Sequence, residues 1–374
     1  MNFAQIPGQK DIIAKLIRTV KEGKVSHAQL FAGPEGNGGL ALALAYARFI
    51  SCENPSENDS CGTCRSCVKY DKLIHPDLHL VFPVVKTKKF QEPVSDNYIE
   101  AWREMVVRSP FFSLNKWLAS LETENLQGMI YTFEAAEIIR KLNLKSFESD
   151  YKIMIIWLPE KMQAVTSNKL LKLIEEPPDK TIFILVSEEP GRIIPTILSR
   201  CQLLKIPGFA GKDIENYLAA KYSLDKTRAS DIARVANGNI CRASDLSENQ
   251  DSSNVKLDKF RELMRLAYKG DVIPLQGLTE EIASWKREEQ KSFIMFSLRI
   301  FRENLMMTLG QPDGMVYLSA EEKAFSGKFH PFINEKNVER LSEEFGLACS
   351  HIEANASSKI VFLDLALKVA RLIR

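Results

Sequence analysis

Cys61-x-x-Cys64-x-x-Cys67, with Cys52 upstream, sets four thiols within one short excursion of the chain. This is the donor set of a closed, tetrahedral, structural zinc site with no open position for water. The intervening Asn, Ser, Asp and Gly residues have little apolar surface with which to order themselves, so metal binding would supply the ordering free energy. Disulfides are the competing arrangement; an odd total of seven cysteines and no recognisable export segment weigh against them. Free thiols stay open as the other alternative. Fe–S ligation fits the ligands alone, with no further electron-transfer feature in the chain.

A second group is Gly33-Pro34-Glu35-Gly36-Asn37-Gly38-Gly39-Leu40, which follows the apolar run His27 to Ala32 and opens a helical stretch from Ala41 to Ile50. Strand, glycine loop and helix are the setting of a phosphate loop, in which Gly-x-x-x-x-Gly-Lys-[Ser/Thr] curls backbone N–H groups round the phosphates. The lysine of that pattern neutralises charge and the hydroxyl holds magnesium. Here Gly33 and Gly38 keep the glycines, but Gly39 stands at the lysine and Leu40 at the hydroxyl. A helix N-terminus retains some attraction for an anion, so residual nucleotide binding through Gly33, Gly36, Gly38 and Gly39 stays open, but tight binding is not expected. A structural strand-turn-helix joint is the expected role.

The third is Arg200, within Pro195-Thr196-Ile197-Leu198-Ser199-Arg200-Cys201-Gln202. A guanidinium is always charged, planar and able to fork hydrogen bonds onto phosphate oxygens. Taken alone, an arginine here is an ordinary surface residue closing a strand end.

The elements that must position these residues follow from periodicity. Ile12, Ile13, Leu16, Ile17 and Val20 have helical spacing between Gly8 and Gly23. Leu78 to Phe82, Tyr151 to Leu158 and Thr181 to Val186 read as strands, the last two nearly unbroken apolar runs that suit burial on both faces. Ala135, Ala136, Ile138, Ile139 and Leu142 predict a helix, as does Asn168 to Glu175, which Pro177-Pro178 closes. Between His75 and Leu126 the pattern is weaker, with a solvated basic loop at Lys86, Lys88 and Lys89 and an aromatic helical stretch through Trp102, Phe111, Phe112 and Trp117. His27, His75 and His79 read as turn or packing residues.

Glu175-Glu176-Pro177-Pro178, the Phe183-Ile184-Leu185 strand and Pro-Thr-Ile-x-Ser-Arg-Cys-Gln, in this order, resemble the clamp-loader family of AAA+ proteins. The resemblance is strongest over Phe3 to Cys67 and Tyr151 to Gln202. It implies an α/β AAA+ P-loop-type parallel-sheet domain over 1–207 with a zinc-binding insertion at 52–67. A small helical lid domain over 208–247 and an all-α collar domain for oligomerisation over 255–374 would follow. Segment 75–126 reads as an insertion in the first domain, and the polar run Ser247 to Asn254 as a linker. It further implies that Arg200, placed by Ser199 and Cys201, acts in trans as an arginine finger on ATP bound by a neighbour.

In ATPases of this fold the strand before Pro159-Glu160-Lys161-Met162 ends in two carboxylates; Trp157 and Leu158 stand there, and Glu160 lies beyond the strand tip. Ser187 takes the family's phosphate-sensing polar position, and Cys241, with Arg242 beside it, takes that of the lid arginine. The expectation is a non-hydrolysing subunit of the DNA polymerase III holoenzyme, with neither ATPase nor polymerase activity of its own and no ATP in its own site. Family members of this kind carry zinc at the cysteine module. The partners implied are gamma/tau-like motor and delta-like subunits in a hetero-oligomeric ring, with the sliding clamp and primer-template DNA reached through the complex. An autonomous ATPase motor of the same fold, or a zinc-containing scaffold whose Arg200 is structural, are the rival readings.

The chain has 374 residues, 45% hydrophobic and 26% charged, enough for two or three domains. A formal net charge of +2 gives no global basic field for autonomous nucleic-acid binding. No apolar run is long enough for a membrane helix, so a cytoplasmic protein with no membrane partner is expected.

Overall fold

The computed structural model describes residues 1–121, 128–248, 250–310 and 316–373. It divides into two compact units, one of residues 1–223 and 237–244, the other of residues 224–236 and 245–374.

The first unit is built on a five-stranded, wholly parallel sheet. Its strands are β1 (Ala28–Ala32), β2 (Leu78–Val81), β3 (Lys152–Trp157), β4 (Thr181–Ser187) and β5 (Gln202–Lys205), in the order β2-β3-β4-β1-β5. Every residue of β1, β3 and β4 is buried, as parallel strands covered on both faces require. The helices are α1 (Lys10–Lys21), α2 (Gly39–Ile50), α3 (Arg65–Asp71), α4 (Ile99–Arg108), α5 (Leu114–Ser120), α6 (Thr132–Asn143), α7 (Ala164–Glu175), the single turn α8 (Pro195–Leu198) and α9 (Gly211–Tyr222). The period of two along the strands sends Leu30, Met154, Ile156, Phe183 and Leu185 into one core with Ile138 and Leu142 of α6 and Leu170 and Ile174 of α7. Lys152 opens β3, one residue after the expected start at Tyr151, with its ammonium turned onto the carbonyl oxygens of Leu142 and Leu144.

Segment 75–126 supplies an aromatic cluster to the same unit; its end, Leu126, lies outside the described residues. Phe82 stacks on Trp102 at 4.0 Å, and Trp102 meets Trp117 at 5.0 Å and Trp157 at 5.1 Å. The tip of β3, where an ATPase of this fold carries carboxylates, is therefore dry and aromatic: Trp157 and Leu158 are both buried.

The remaining helices are α10 (Lys226–Ala236), α11 (Ile240–Glu248), α12 (Gln250–Lys269), α13 (Val272–Ala283), α14 (Arg287–Thr308), α15 (Ala320–Phe329), α16 (Val338–Glu353) and α17 (Ser358–Leu372). In the second unit Phe260, Phe293, Phe301, Phe345 and Phe362 are fully buried and share one core with aliphatic residues of α12, α13, α14, α16 and α17. A buried ion pair, Arg299 with Glu322, ties α14 to the start of α15. The polar run expected as a linker is instead helical over Ser247–Glu248 and from Gln250 to Asn254; residue 249 lies outside the described residues. Polar composition alone does not break a helix that has no proline or glycine in it.

No helix among the described residues is long and apolar enough to cross a membrane.

Candidate functional site

The glycine loop leaves the C-terminal end of β1 and enters α2, as its sequence demands. Its positive-φ residues are Gly36 and Gly38, at +72° and +80°, a region open to glycine at little cost. The loop is filled by the protein itself. Asn37 is buried, its Oδ1 accepts the Gly39 N–H at 2.7 Å and its Nδ2 donates to the Ile206 carbonyl at 3.4 Å. Gly39 opens α2, so the N–H that would greet an anion at the helix start is already satisfied by a neutral amide.

From outside, a Cβ at Gly38 would lie 2.6 Å from Phe209 Cζ, and one at Gly36 would lie 2.0 Å from Asn239 Oδ1. Phe111 of segment 75–126 packs against Phe209 at 6.0 Å. The Gly36 carbonyl accepts the Ile240 N–H at 3.1 Å, and the Gly238 carbonyl accepts the Phe209 N–H at 2.9 Å. Residues 209 and 237–240 thus close over the loop. Cys241 is buried and Arg242 half-buried beyond it, with the Arg242 N–H donated to Asn239 Oδ1 at 2.8 Å.

Glu35 of the loop lies near two further carboxyl groups, Glu160 and Glu188, at the ends of β3 and β4. Burial, reinforced by the neighbouring charges of Glu35 and Glu160, pushes Glu188 up to about 8. Glu160 Oε1 accepts the backbone N–H groups of Glu188 and Glu189 at 2.9 and 3.0 Å, so it caps the turn after β4. Ser187, at the β4 tip, is buried with no partner for its hydroxyl among the described residues.

Arg200 follows α8 and stands beside the last residue of α7. Its Nε donates to Glu175 Oε2 at 3.0 Å, Nη2 lies 2.9 Å from the same oxygen, and Nη1 donates to the Thr196 carbonyl at 2.9 Å. The side chain is 31% exposed. Ser199 shares the Thr196 carbonyl, donating to it at 3.2 Å, while Cys201 packs partly buried against the sheet core. Burial raises the Cys201 thiol to about 11, so it is an inert packing group.

The four cysteines do come together. The Sγ atoms of Cys52, Cys61, Cys64 and Cys67 all lie within 4.8 Å of one another, and Cys61 and Cys67 are 4.0 Å apart, against about 3.8 Å between sulfurs of a tetrahedral zinc site. The N–H groups of Cys61, Cys64 and Cys67 point at the sulfurs of Cys52, Cys61 and Cys64 at 3.2, 3.3 and 3.4 Å, which favours thiolates. These residues could hold zinc. Sequence reading passed over Arg48, buried on α2, where the Cys67 thiol and the Asp71 carboxylate hold its charge. Its signal was a lone cation in the apolar run Leu40 to Ile50. His75 is packed on Tyr70 at 4.8 Å, and burial holds both His75 and His79 below the usual histidine range, His79 at about 4.

A parallel sheet with β1 between β4 and β5, a glycine loop after β1 and helices on both faces define an α/β fold of the AAA+ P-loop type. The chain belongs to the family of the DNA polymerase III delta subunit, whose sequence model matches residues 8–210. The delta-prime subunit of DNA polymerase III from Bacillus subtilis is 28% identical over 313 residues, 83% of this chain and 80% of that protein. The delta-prime subunit from Escherichia coli is 26% identical over 222 residues, 59% of this chain and 53% of that protein. Among solved structures, a DNA polymerase III gamma subunit-related protein from Thermotoga maritima aligns with a TM-score of 0.47 at 11% identity, covering 97% of this chain and 99% of that one.

Proposed function

We propose that this chain is a non-hydrolysing, delta-prime-type subunit of a DNA polymerase III clamp loader, which lends Arg200 to ATP held by a neighbouring motor subunit. The observation that carries the reading is a glycine loop filled by the chain's own Asn37, Phe209 and Asn239 while Arg200 stays at the surface. A phosphate at that loop would have to displace Asn37 from the Gly39 N–H, and it would meet the carboxyl groups of Glu35, Glu160 and Glu188 in place of a lysine. Burying a phosphate against carboxyl groups without a cation is strongly unfavourable. With Trp157 and Leu158 at the β3 tip, neither of the two positions that carry carboxylates in an ATPase of this fold can hold magnesium or activate water.

Arg200 suits work in trans. A permanently charged fork, fixed in orientation and offered at the surface, stabilises the charge that spreads over transferring phosphoryl oxygens. The partners on this reading are gamma/tau-like motor subunits and delta-like subunits in a hetero-oligomeric ring. The sliding clamp and primer-template DNA are reached through the assembly, in the cytoplasm. Zinc at Cys52, Cys61, Cys64 and Cys67 orders the excursion between α2 and α3 and takes no part in chemistry.

The test is Arg200→Ala in the assembly reconstituted with its motor subunits. Turnover at the ATP site that the arginine serves should fall by about 10³-fold or more, lowering DNA-stimulated hydrolysis while gel filtration still shows the intact assembly. Unchanged hydrolysis would remove the finger from the account.

A further inference from the structure

The geometry points to Glu175 as the positioning residue of Arg200, holding the guanidinium so that its unused N–H groups face a phosphate of the neighbouring subunit; this rests on the reading of Arg200 as a finger. Arginine carries five N–H donors. Nε is spent on Glu175 Oε2, one N–H of Nη1 on the Thr196 carbonyl, and Nη2 rests against the same Glu175 oxygen. Both terminal nitrogens keep an N–H with no partner among the described residues, and these unused donors are what the guanidinium has left to offer phosphate oxygens.

The position of Glu175 supports this role. It is the final residue of α7, followed by Glu176. A carboxylate at the negative end of a helix dipole and next to a second one is locally unfavourable, so Glu175 is ill placed for the stability of α7. Its side chain is 54% exposed, and an ion pair so exposed adds little to folding. What the pair does accomplish is order: a long side chain with many rotamers is held in one orientation before any ligand arrives, and that ordering is then not subtracted from transition-state binding.

The experiment compares wild type, Glu175→Ala, Glu175→Gln, Arg200→Ala and the double variant Glu175→Ala/Arg200→Ala in the reconstituted assembly, with kcat and KM for ATP measured under DNA stimulation. Glu175→Ala should lower kcat at the served site about fivefold with KM within about twofold, because order is lost and no ground-state contact is. Glu175→Gln keeps the shape and loses the charge, and should fall between. The double variant should be no slower than Arg200→Ala alone, the signature of two residues acting as one unit. A normal kcat for Glu175→Ala beside a slow Arg200→Ala would overturn the positioning role and leave the finger standing, and a raised kcat would overturn it too, making Glu175 a brake. A normal kcat for Arg200→Ala would instead overturn the finger itself.

Discussion

Gly36→Ala tests whether the glycine loop is a packed joint or an open cradle. Gly36 is buried at φ +72°, and an added Cβ would sit 2.0 Å from Asn239 Oδ1. An alanine in the left-handed region costs about 1 kcal/mol. Moving Asn239 aside also breaks its bond from the Arg242 N–H at the start of α11, worth about 1 kcal/mol for a helix cap. With some lost packing the total is about 2–3 kcal/mol, or about 4–12 °C in the melting temperature of a unit of this size. Three of the four tryptophans, Trp102, Trp117 and Trp157, lie in the first unit, so a thermal melt followed by intrinsic fluorescence reads mainly that unit. Gly191→Ala is the matched control, since nothing lies within 4 Å of a Cβ there and its φ is not positive. If Gly36→Ala melts within about 1 °C of that control, the contacts among Gly36, Asn239 and Ile240 do not hold the loop closed, and the reasoning fails.

Two further outcomes follow from the same structure. The purified chain should carry about one zinc, and its removal by a chelator, or Cys64→Ser, should open residues 52–67 to protease while the circular dichroism of the helices changes little; protection that survives metal removal would refute a zinc-ordered module. Glu188, with its folded-state value raised to about 8, keeps its proton in the folded protein where the unfolded chain has lost it, so its contribution to stability declines as pH rises from about 4.5 to about 8. Glu188→Gln should therefore raise the melting temperature more at pH 8.5 than at pH 5, and equal effects at both pH values would show that neither burial nor the charges of Glu35 and Glu160 hold Glu188 protonated.

The sheet was legible because three of its strands are buried on both faces: the apolar runs at 28–32, 152–157 and 181–187 have no competing helical period. The cysteine spacing and the missing lysine and hydroxyl at Gly39 and Leu40 were also plain, since each is a local pattern. What sequence could not show was how the loop is filled. Asn37 occupies an unspecified position of the glycine-loop pattern, Phe111, Phe209 and Asn239 belong to no motif, and the four gather at the loop only after folding. The same holds for the partner of Arg200: Glu175 was visible as the residue ahead of a double proline that ends α7, but its contact across to α8 depends on tertiary packing. Segment 75–126 gave a weak periodic signal because its purpose is aromatic cover, with Trp102 and Phe112 on Trp157 and Phe111 on Phe209.

The claim at the centre is that this chain's own glycine loop is out of use, and isothermal titration of the purified chain with Mg-ATP measures it most directly. The account predicts no saturable heat at concentrations up to about 1 mM, where a dissociation constant corresponds to only about 4 kcal/mol of binding. A dissociation constant in the micromolar range would contradict it, because the bound phosphates would then have displaced Asn37 from the Gly39 N–H and opened the contacts of Phe209 and Asn239.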